Sequence, residues 1–409
     1  MRRGVSGSSK TVERVLRGEL CTGCGLCASV ASGAIEMVTV APGYSRPNHV
    51  GPVTEEAELK IATSCPGNVV EPWARDASPD PYWGPTRRVA TGYAADEAIR
   101  FGGSSGGAIS ALLIHALDVG LVDRVLHIAP DPDRPTQNVL QVSRTPAEVM
   151  SGAGSRYTAS SPLTQIEQML ADGGAMAFVG KPCDVSALRR LGRTDERVDR
   201  HIPIMLSFFC GGMPSHDGVE RILTTMGVRS EDVVAFRYRG QGWPGTTAAT
   251  IRDGSTAEMS YADSWGGHLS KEVQFRCKIC PDAVGGVADI ACADAWYGGE
   301  TGYPTFEEQD GRSLILARSA AGEALLAGAV AAAAIKIEPL ELREVDLMQP
   351  SQARRKRLVL ARTAALALTG QPRPNMAGTL VGEAAAQAGA SESARNLIGT
   401  IRRIVLGRR

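Results

Sequence analysis

The sequence predicts an α/β protein: a central mixed, largely parallel sheet with flanking helices, a small cysteine-rich module ahead of it and a helical extension behind it. Three observations carry this. The apolar runs at residues 175–179 and 204–209 each meet a glycine or proline break and then a helical pattern, as parallel strands joined by crossovers do. Cysteines crowd the first 65 residues at short spacing. The last sixty residues are rich in arginine and read as helices.

Taken in order, residues 1–80 form a first region with a strand at 34–40, and the proline-rich stretch 76–85 marks a linker. A main domain follows over 88–345. Its 88–232 part alternates strands (89–94, 122–129 and the two apolar runs) with helices (106–119, 163–171, 185–191). Its 233–345 part is β-rich, with strands at 246–252 and 256–261 flanking Asp253-Gly254, a hairpin signal. The apolar stretch 314–337 is interrupted by Arg318, Glu323 and Lys336, so it reads as a helix and not a membrane span. The tail, 351–409, holds eleven Arg/Lys against Glu383 and Glu392, a local excess of nine. It reads either as a basic arm for an acidic partner or membrane surface, or as a pair of surface helices with solvated arginines.

At 409 residues the chain has room for two or three domains. Its formal net charge is zero, so nothing global points to nucleic acid or a membrane. The first ten residues lack an apolar core, so no signal peptide is expected and the protein reads as cytoplasmic, without a transmembrane segment. In that compartment nine cysteines are metal ligands or redox groups where they cluster, not a disulfide framework.

Two cysteine groups stand out. Cys21, Cys24 and Cys27 form a Cys-x-x-Cys-x-x-Cys run that suits three corners of one cubane, the pattern of a ferredoxin-like iron–sulfur module. The ordinary bacterial run would place its next cysteine at position 31, which is Ala31, so Cys65, followed by Pro66, is the best fourth ligand. The other reading is a structural zinc site, although zinc sites favour two pairs. The second group is Cys183, Cys210, Cys277 and Cys280. The first two follow the parallel apolar strands and emerge side by side at one sheet edge, where the Cys277-x-x-Cys280 pair completes a four-thiolate site for iron and sulfur. Half a zinc ribbon, a redox pair and buried core cysteines are the alternatives. Cys292 sits in an apolar strand and reads as core.

The run Gly102-Gly103-Ser104-Ser105-Gly106-Gly107 feeds a helix, so it presents backbone N–H groups and a partial positive charge to an anion such as a flavin diphosphate, or is merely a tight turn. It matches neither the P-loop nor the dinucleotide pattern. Ser155, Arg156 and Tyr157 form a loop suited to phosphate or ring binding, and Lys181 next to Cys183 suits hydrogen bonding to a reduced flavin or balancing thiolate charge. For each of these a surface or packing role stands beside the functional one.

Together Cys-Thr-Gly-Cys-Gly-Leu-Cys, Ser-Cys-Pro-Gly, Gly-Gly-Ser-Ser-Gly-Gly, Gly-Ser-Arg-Tyr, Gly-Lys-Pro-Cys-Asp, Phe-Phe-Cys-Gly-Gly, Asp-Ser-Trp-Gly and Arg276-Cys277-x-x-Cys280-x-Asp282 resemble the coenzyme F420 hydrogenase/dehydrogenase beta-subunit family, over about residues 18–300. Ala293 departs from the glycine that relatives often carry there. The resemblance implies FAD and, in members with the extra N-terminal module, two [4Fe–4S] clusters. It carries one cluster to Cys183, Cys210, Cys277 and Cys280, and the other to Cys21, Cys24, Cys27 and Cys65. It places the flavin against residues 102–107, with Ser155, Arg156, Tyr157 and Lys181 nearby and Lys181 and Arg156 in catalytic roles. The implied activity is an oxidoreductase that passes electrons between ferredoxin-like carriers, the clusters and FAD, to or from a two-electron substrate such as coenzyme F420. The implied partners are a ferredoxin or other electron-carrier protein, a redox partner subunit or a second copy of the chain. An electron-transfer subunit without its own substrate site is the alternative, and a zinc-stabilised binding protein is a third.

Overall fold

The computed structural model describes residues 7–74, 79–296 and 307–407. The chain opens with α1 (Lys10–Arg17) and α2 (Leu26–Val30), a hairpin of β1 (Ile35–Val40) and β2 (Tyr44–His49), and α3 (Glu55–Ser64). Thr54 starts α3 by accepting from the Ala57 N–H. Val12, Ile35, Val53 and Ile61 bury together as a small core of this segment. What was expected as a ferredoxin-like module is thus one β-hairpin with three helices. The expected strand is present; its partner β2 carries Pro47, which masked it as a strand.

The main body continues through β3 (Arg88–Ala94), α4 (Glu97–Gly102), α5 (Ala108–Asp118), β4 (Arg124–Pro130), β5 (Asn138–Ser143), α6 (Pro146–Ser151) and α7 (Ile166–Asp172). Next come β6 (Met176–Gly180), α8 (Pro182–Gly192), α9 (Arg197–His201), β7 (Ile204–Phe208) and α10 (His216–Thr225). A separate three-stranded antiparallel sheet of β8 (Val233–Arg237), β9 (Thr246–Ile251) and β10 (Thr256–Ser260) contains the predicted hairpin. Then follow α11 (Phe275–Lys278), β11 (Ile290–Asp294), β12 (Ser313–Ala317), α12 (Ala320–Ala331) and β13 (Ile335–Pro339). Four helices close the chain: α13 (Val345–Met348), α14 (Pro350–Leu368), α15 (Val381–Ala386) and α16 (Ala390–Val405).

Eight strands make the main sheet in the order β13-β3-β12-β11-β7-β6-β4-β5. Only the pairs among β11, β7, β6 and β4 are parallel; the four other pairs are antiparallel. The sheet is therefore mixed, and the expected predominance of parallel pairing holds only at its centre. Successive residues of the central strands point to opposite faces. Ala177, Leu206 and Ile290 pack with Leu112 of α5 and Leu325 of α12 on one side. Phe178 and Met205 pack with Leu188 and Leu191 of α8 on the other. Each fully buried large side chain here contributes about 2 kcal/mol of apolar transfer, enough to fix the register of strands this short.

Residues 314–337, expected as a single helix, instead form β12, α12 and β13. Arg318 breaks the run: buried, it donates to the carbonyls of Trp83, Pro85 and Val284. Ser319 then caps α12, and Ala333, in left-handed backbone, ends it. Residues 76–78 of the expected linker lie outside the described residues. Beyond them Trp83 is buried, stacks on Phe209 at 5.9 Å and donates its indole N–H to Asp346 (2.7 Å), so this stretch is core and not linker. Among the described residues no helix is long and apolar enough to cross a membrane.

Candidate functional site

β6 and β7 lie side by side in parallel with Gly180 opposite Ser207, and the Ser207 hydroxyl donates to the Gly180 carbonyl (2.9 Å). Both strands therefore deliver their next residues to one sheet edge. Lys181 caps α8, Pro182 starts it and Cys183 sits in its first turn. Cys210 follows β7, tied by its N–H to the Ala283 carbonyl (2.8 Å). Cys277 and Cys280 arrive on α11 and the turn after it. The four cysteines line one cavity. Gly212, at φ +116°, makes the approach feasible, since a Cβ there would lie 2.5 Å from Val273 and 3.3 Å from Cys277. The Cys277 sulfur accepts from the Met213 N–H (3.3 Å) and from the Gln274 amide (3.5 Å).

Cys21, Cys24, Cys27 and Cys65 line a second cavity, walled by apolar side chains including Val12, Leu26 and Ile61. Gly23 and Gly25, at φ +76° and +86°, let the loop wrap it, and Cys65 stands at the C-terminal end of α3. Thr22 lines both cavities, so the two cysteine groups are neighbours. Its hydroxyl is buried without a hydrogen-bond partner among the described residues. Arg276 joins the two loops, donating to the Pro66 carbonyl (2.9 Å) from beside Cys277.

All nine cysteines are free thiols. Burial pushes the thiols of Cys21, Cys24, Cys27, Cys183, Cys210 and Cys280 upward and that of Cys65 up to about 11. Arg46 opposes this at Cys21, Arg355 at Cys210 and Arg276 at Cys65 and Cys280. Buried thiolates on this scale need a bound cation. Among the described residues no three His, Cys, Asp or Glu side chains converge closely enough to hold one metal ion. The four cysteines lining each cavity are the donor set that a polynuclear cluster with an iron at each corner takes. Cys292 is buried in the sheet core, as expected.

Lys181 belongs to the central cavity. Burial works against its ammonium, but the Asp184 carboxylate at 2.8 Å and the neighbouring Cys183 carry its pKa upward. Its Nζ also reaches the Ser160 hydroxyl (3.5 Å).

The glycine loop runs from the end of α4 to Gly107, which caps α5 in left-handed backbone with no side-chain cap on the first N–H groups. Ser104 accepts from the Ser155 N–H, Ser105 donates to the Arg312 carbonyl (2.5 Å), and the Gly106 N–H donates to Ser313 (2.9 Å). Gly154 and Gly240 close on the loop: a Cβ at Gly240 would lie 3.2 Å from the Gly102 carbonyl oxygen. Residues 102–107, Ser155 and Gly240 thus meet, without Lys181. Tyr157 packs on Trp265 (4.9 Å), and Trp265 in turn covers Gly211 beside Cys210. Arg156, expected at a phosphate, ring or reacting group, is occupied otherwise. Its guanidinium donates to Asn138 (2.8 Å) and to the carbonyls of Phe236 (3.1 Å), Pro135 (2.9 Å) and Gln137 (2.8 Å), so in this structure it braces the fold.

Two groups at the site escaped sequence reasoning. Arg239 is buried, pairs with Asp294 (2.6 Å) and stacks over Tyr261 (4.5 Å). The glycine-rich run Gly240-Gln241-Gly242-Trp243-Pro244-Gly245 after it was an available signal. The second group is on α14. Gln352 and Arg355 donate to the Cys210 carbonyl (3.2 and 2.8 Å), and Arg355 also to Gly211 (2.6 Å). Lys356 donates to the Pro281 carbonyl and Arg362 to that of Lys278 (2.7 Å). These tail cations are not solvated surface charges: they grip both cysteine loops of the central cavity.

Residues 89–167 match the N-terminal family model, and residues 173–343 the C-terminal family model, of the coenzyme F420 hydrogenase/dehydrogenase beta subunit. The coenzyme F420 hydrogenase subunit beta of Methanococcus voltae is 28% identical over 268 residues, which are 63% of this chain and 84% of that protein. The F420-dependent formate dehydrogenase 1 subunit beta of Methanococcus maripaludis is 28% identical over 54% of this chain and 57% of its own. The chloroplastic 7-hydroxymethyl chlorophyll a reductase of Oryza sativa subsp. japonica is 24% identical over 54% and 45%. A chain of the F420-reducing [NiFe] hydrogenase complex from Methanosarcina barkeri superposes with a TM-score of 0.55 at 21% identity, covering 70% of this chain and 95% of that one, a likeness of fold.

Proposed function

Since the chain belongs to the coenzyme F420 hydrogenase/dehydrogenase beta-subunit family, we propose that it is an oxidoreductase subunit that holds FAD and two [4Fe–4S] clusters and exchanges electrons between a carrier protein and a two-electron substrate such as coenzyme F420. The observation that carries this reading is the pair of adjacent four-cysteine cavities sharing Thr22. Cys183, Cys210, Cys277 and Cys280 would hold one cluster, and Cys21, Cys24, Cys27 and Cys65 the other. The first N–H groups of α5, which follow the 102–107 loop and have no side-chain cap, would receive the flavin's anionic diphosphate.

When bound, such groups supply one-electron storage in the clusters and two-electron or stepwise exchange in the flavin. The chain's part is to orient and insulate. Arg276 fixes the two cysteine loops against each other and, with Lys181 and Arg355, sets positive charge around the thiols. The apolar walls of the N-terminal cavity keep water away. Tyr157 and Trp265 fill the space between the glycine loop and the Cys210 loop. A second reading, an electron-transfer subunit without its own substrate site, is favoured by the names of the relatives as subunits. Flavin reduction by reduced F420, or its absence in favour of a carrier protein, separates the two.

Protein purified without oxygen is expected to be brown, with flavin absorbance and about eight irons per chain from two four-iron clusters. Cys65→Ala is expected to remove about half of that iron and leave FAD bound. Colourless, zinc-loaded protein would sink the proposal, and unchanged iron in the variant would remove Cys65 from the ligand set.

A further inference from the structure

The family match ends at residue 343, yet α14 forms a wall of the central cavity. Four of its side chains hold the two cysteine loops, and one of them differs in kind. Gln352 is neutral, and Lys356 and Arg362 bind the carbonyls of Pro281 and Lys278, outside the cavity lining. Arg355 alone among these cations lines the cavity beside Cys183, Cys210, Cys277 and Cys280. It is directed there by two hydrogen bonds, to the carbonyls of Cys210 (2.8 Å) and Gly211 (2.6 Å). Among the described residues no carboxylate pairs with it, in contrast to Arg354 one position earlier, which faces solvent and pairs with Glu392 (2.7 Å). Lys181, the other cation lining the cavity with Arg276, is already paired with Asp184.

We propose that Arg355 is a positioning residue that sets the reduction potential of the central four-cysteine site, so that the C-terminal helix is a working wall of the redox centre and not an appendage. The inference rests on that site holding a cluster, as proposed above. Asp282 also lines the cavity, but a fixed cation with no carboxylate bonded to it still favours whichever state carries more negative charge, and adding one electron to a cluster adds one negative charge. Arg355 therefore eases reduction.

The test is a redox titration followed by electron paramagnetic resonance on the full-length, cluster-loaded protein and three variants. Arg355→Gln is expected to shift one cluster to more negative potential, leave the other unmoved and keep the iron content. Arg355→Lys, which keeps the charge, is expected to restore most of the shift. Gln352→Leu, which removes a neutral donor from the same Cys210 carbonyl, is expected to move neither potential. An unchanged potential in Arg355→Gln, a loss of iron in that variant, or an equal shift in Gln352→Leu would each overturn the proposal by assigning α14 a purely structural role. Failure of the underlying reading is separate and visible first, as wild-type protein without iron.

Discussion

Arg156 and Arg355 were both plain arginines in the sequence, and their surroundings give them opposite tasks. Arg156 uses its guanidinium to satisfy three backbone carbonyls and Asn138. Arg156→Met removes all four part-buried hydrogen bonds, leaving the Gln137 carbonyl only its bond from the Asp131 N–H (3.0 Å), so it is expected to cost about 2 kcal/mol of stability. The urea midpoint should fall while flavin content stays constant. Loss of flavin at unchanged stability would return Arg156 to the cofactor site. At this scale the cysteines were the most legible residues, because a thiol spacing of three is meaningful by itself. Arg355 was not legible, because nothing in a run of four basic residues says which one turns inward.

At the scale of elements, α3 is fastened to the main body by charge as well as by its apolar face. Lys60 of α3 pairs with Glu167 of α7 (2.9 Å) and with Asp195 (3.3 Å), and Arg197 of α9 bonds both carboxylates. Arg197, aided by Lys60, holds the Asp195 carboxyl well below the usual carboxylate range. A carboxyl whose folded pKa is depressed adds stability above its unfolded value, about 3.9, and loses it as pH falls through lower values. Amide exchange in α3 is therefore expected to rise below about pH 4 before exchange in β6 and β7 does. Simultaneous loss of protection would show that these charges do not govern the docking. The same scale holds the clearest misreading. Residues 314–337 are mostly apolar with only Arg318, Glu323 and Lys336 between, so periodicity could not divide them, and the division into strand, helix and strand follows from Arg318 finding three buried carbonyls.

In the whole molecule, the N-terminal segment and the C-terminal helices reach the sheet edge from different parts of the chain and meet at the cysteines. The shared Thr22 makes the two cavities neighbours. Fully reduced, cluster-loaded protein is therefore expected to show a spin-coupled paramagnetic spectrum that simplifies to a single uncoupled cluster in Cys65→Ala. Two independent signals in the wild type would refute the adjacency. The local order of residues was enough to determine the central β6-α8-β7 unit, the β9-β10 hairpin, the helical tail, the Cys21-Cys24-Cys27 run and the Cys277-Cys280 pair, because helical and strand periods and short ligand spacings are local properties, whereas Cys65, Cys183 and Cys210 reach their cavities only through long-range contacts. Only the tertiary structure decided that the outer strands run antiparallel, that Lys181 sides with the central cysteines and not the glycine loop, and that α14 closes the cavity with Arg355. Those outcomes depend on contacts between residues tens to hundreds of positions apart, where burial and unpaired carbonyls choose among arrangements that the sequence pattern leaves equal.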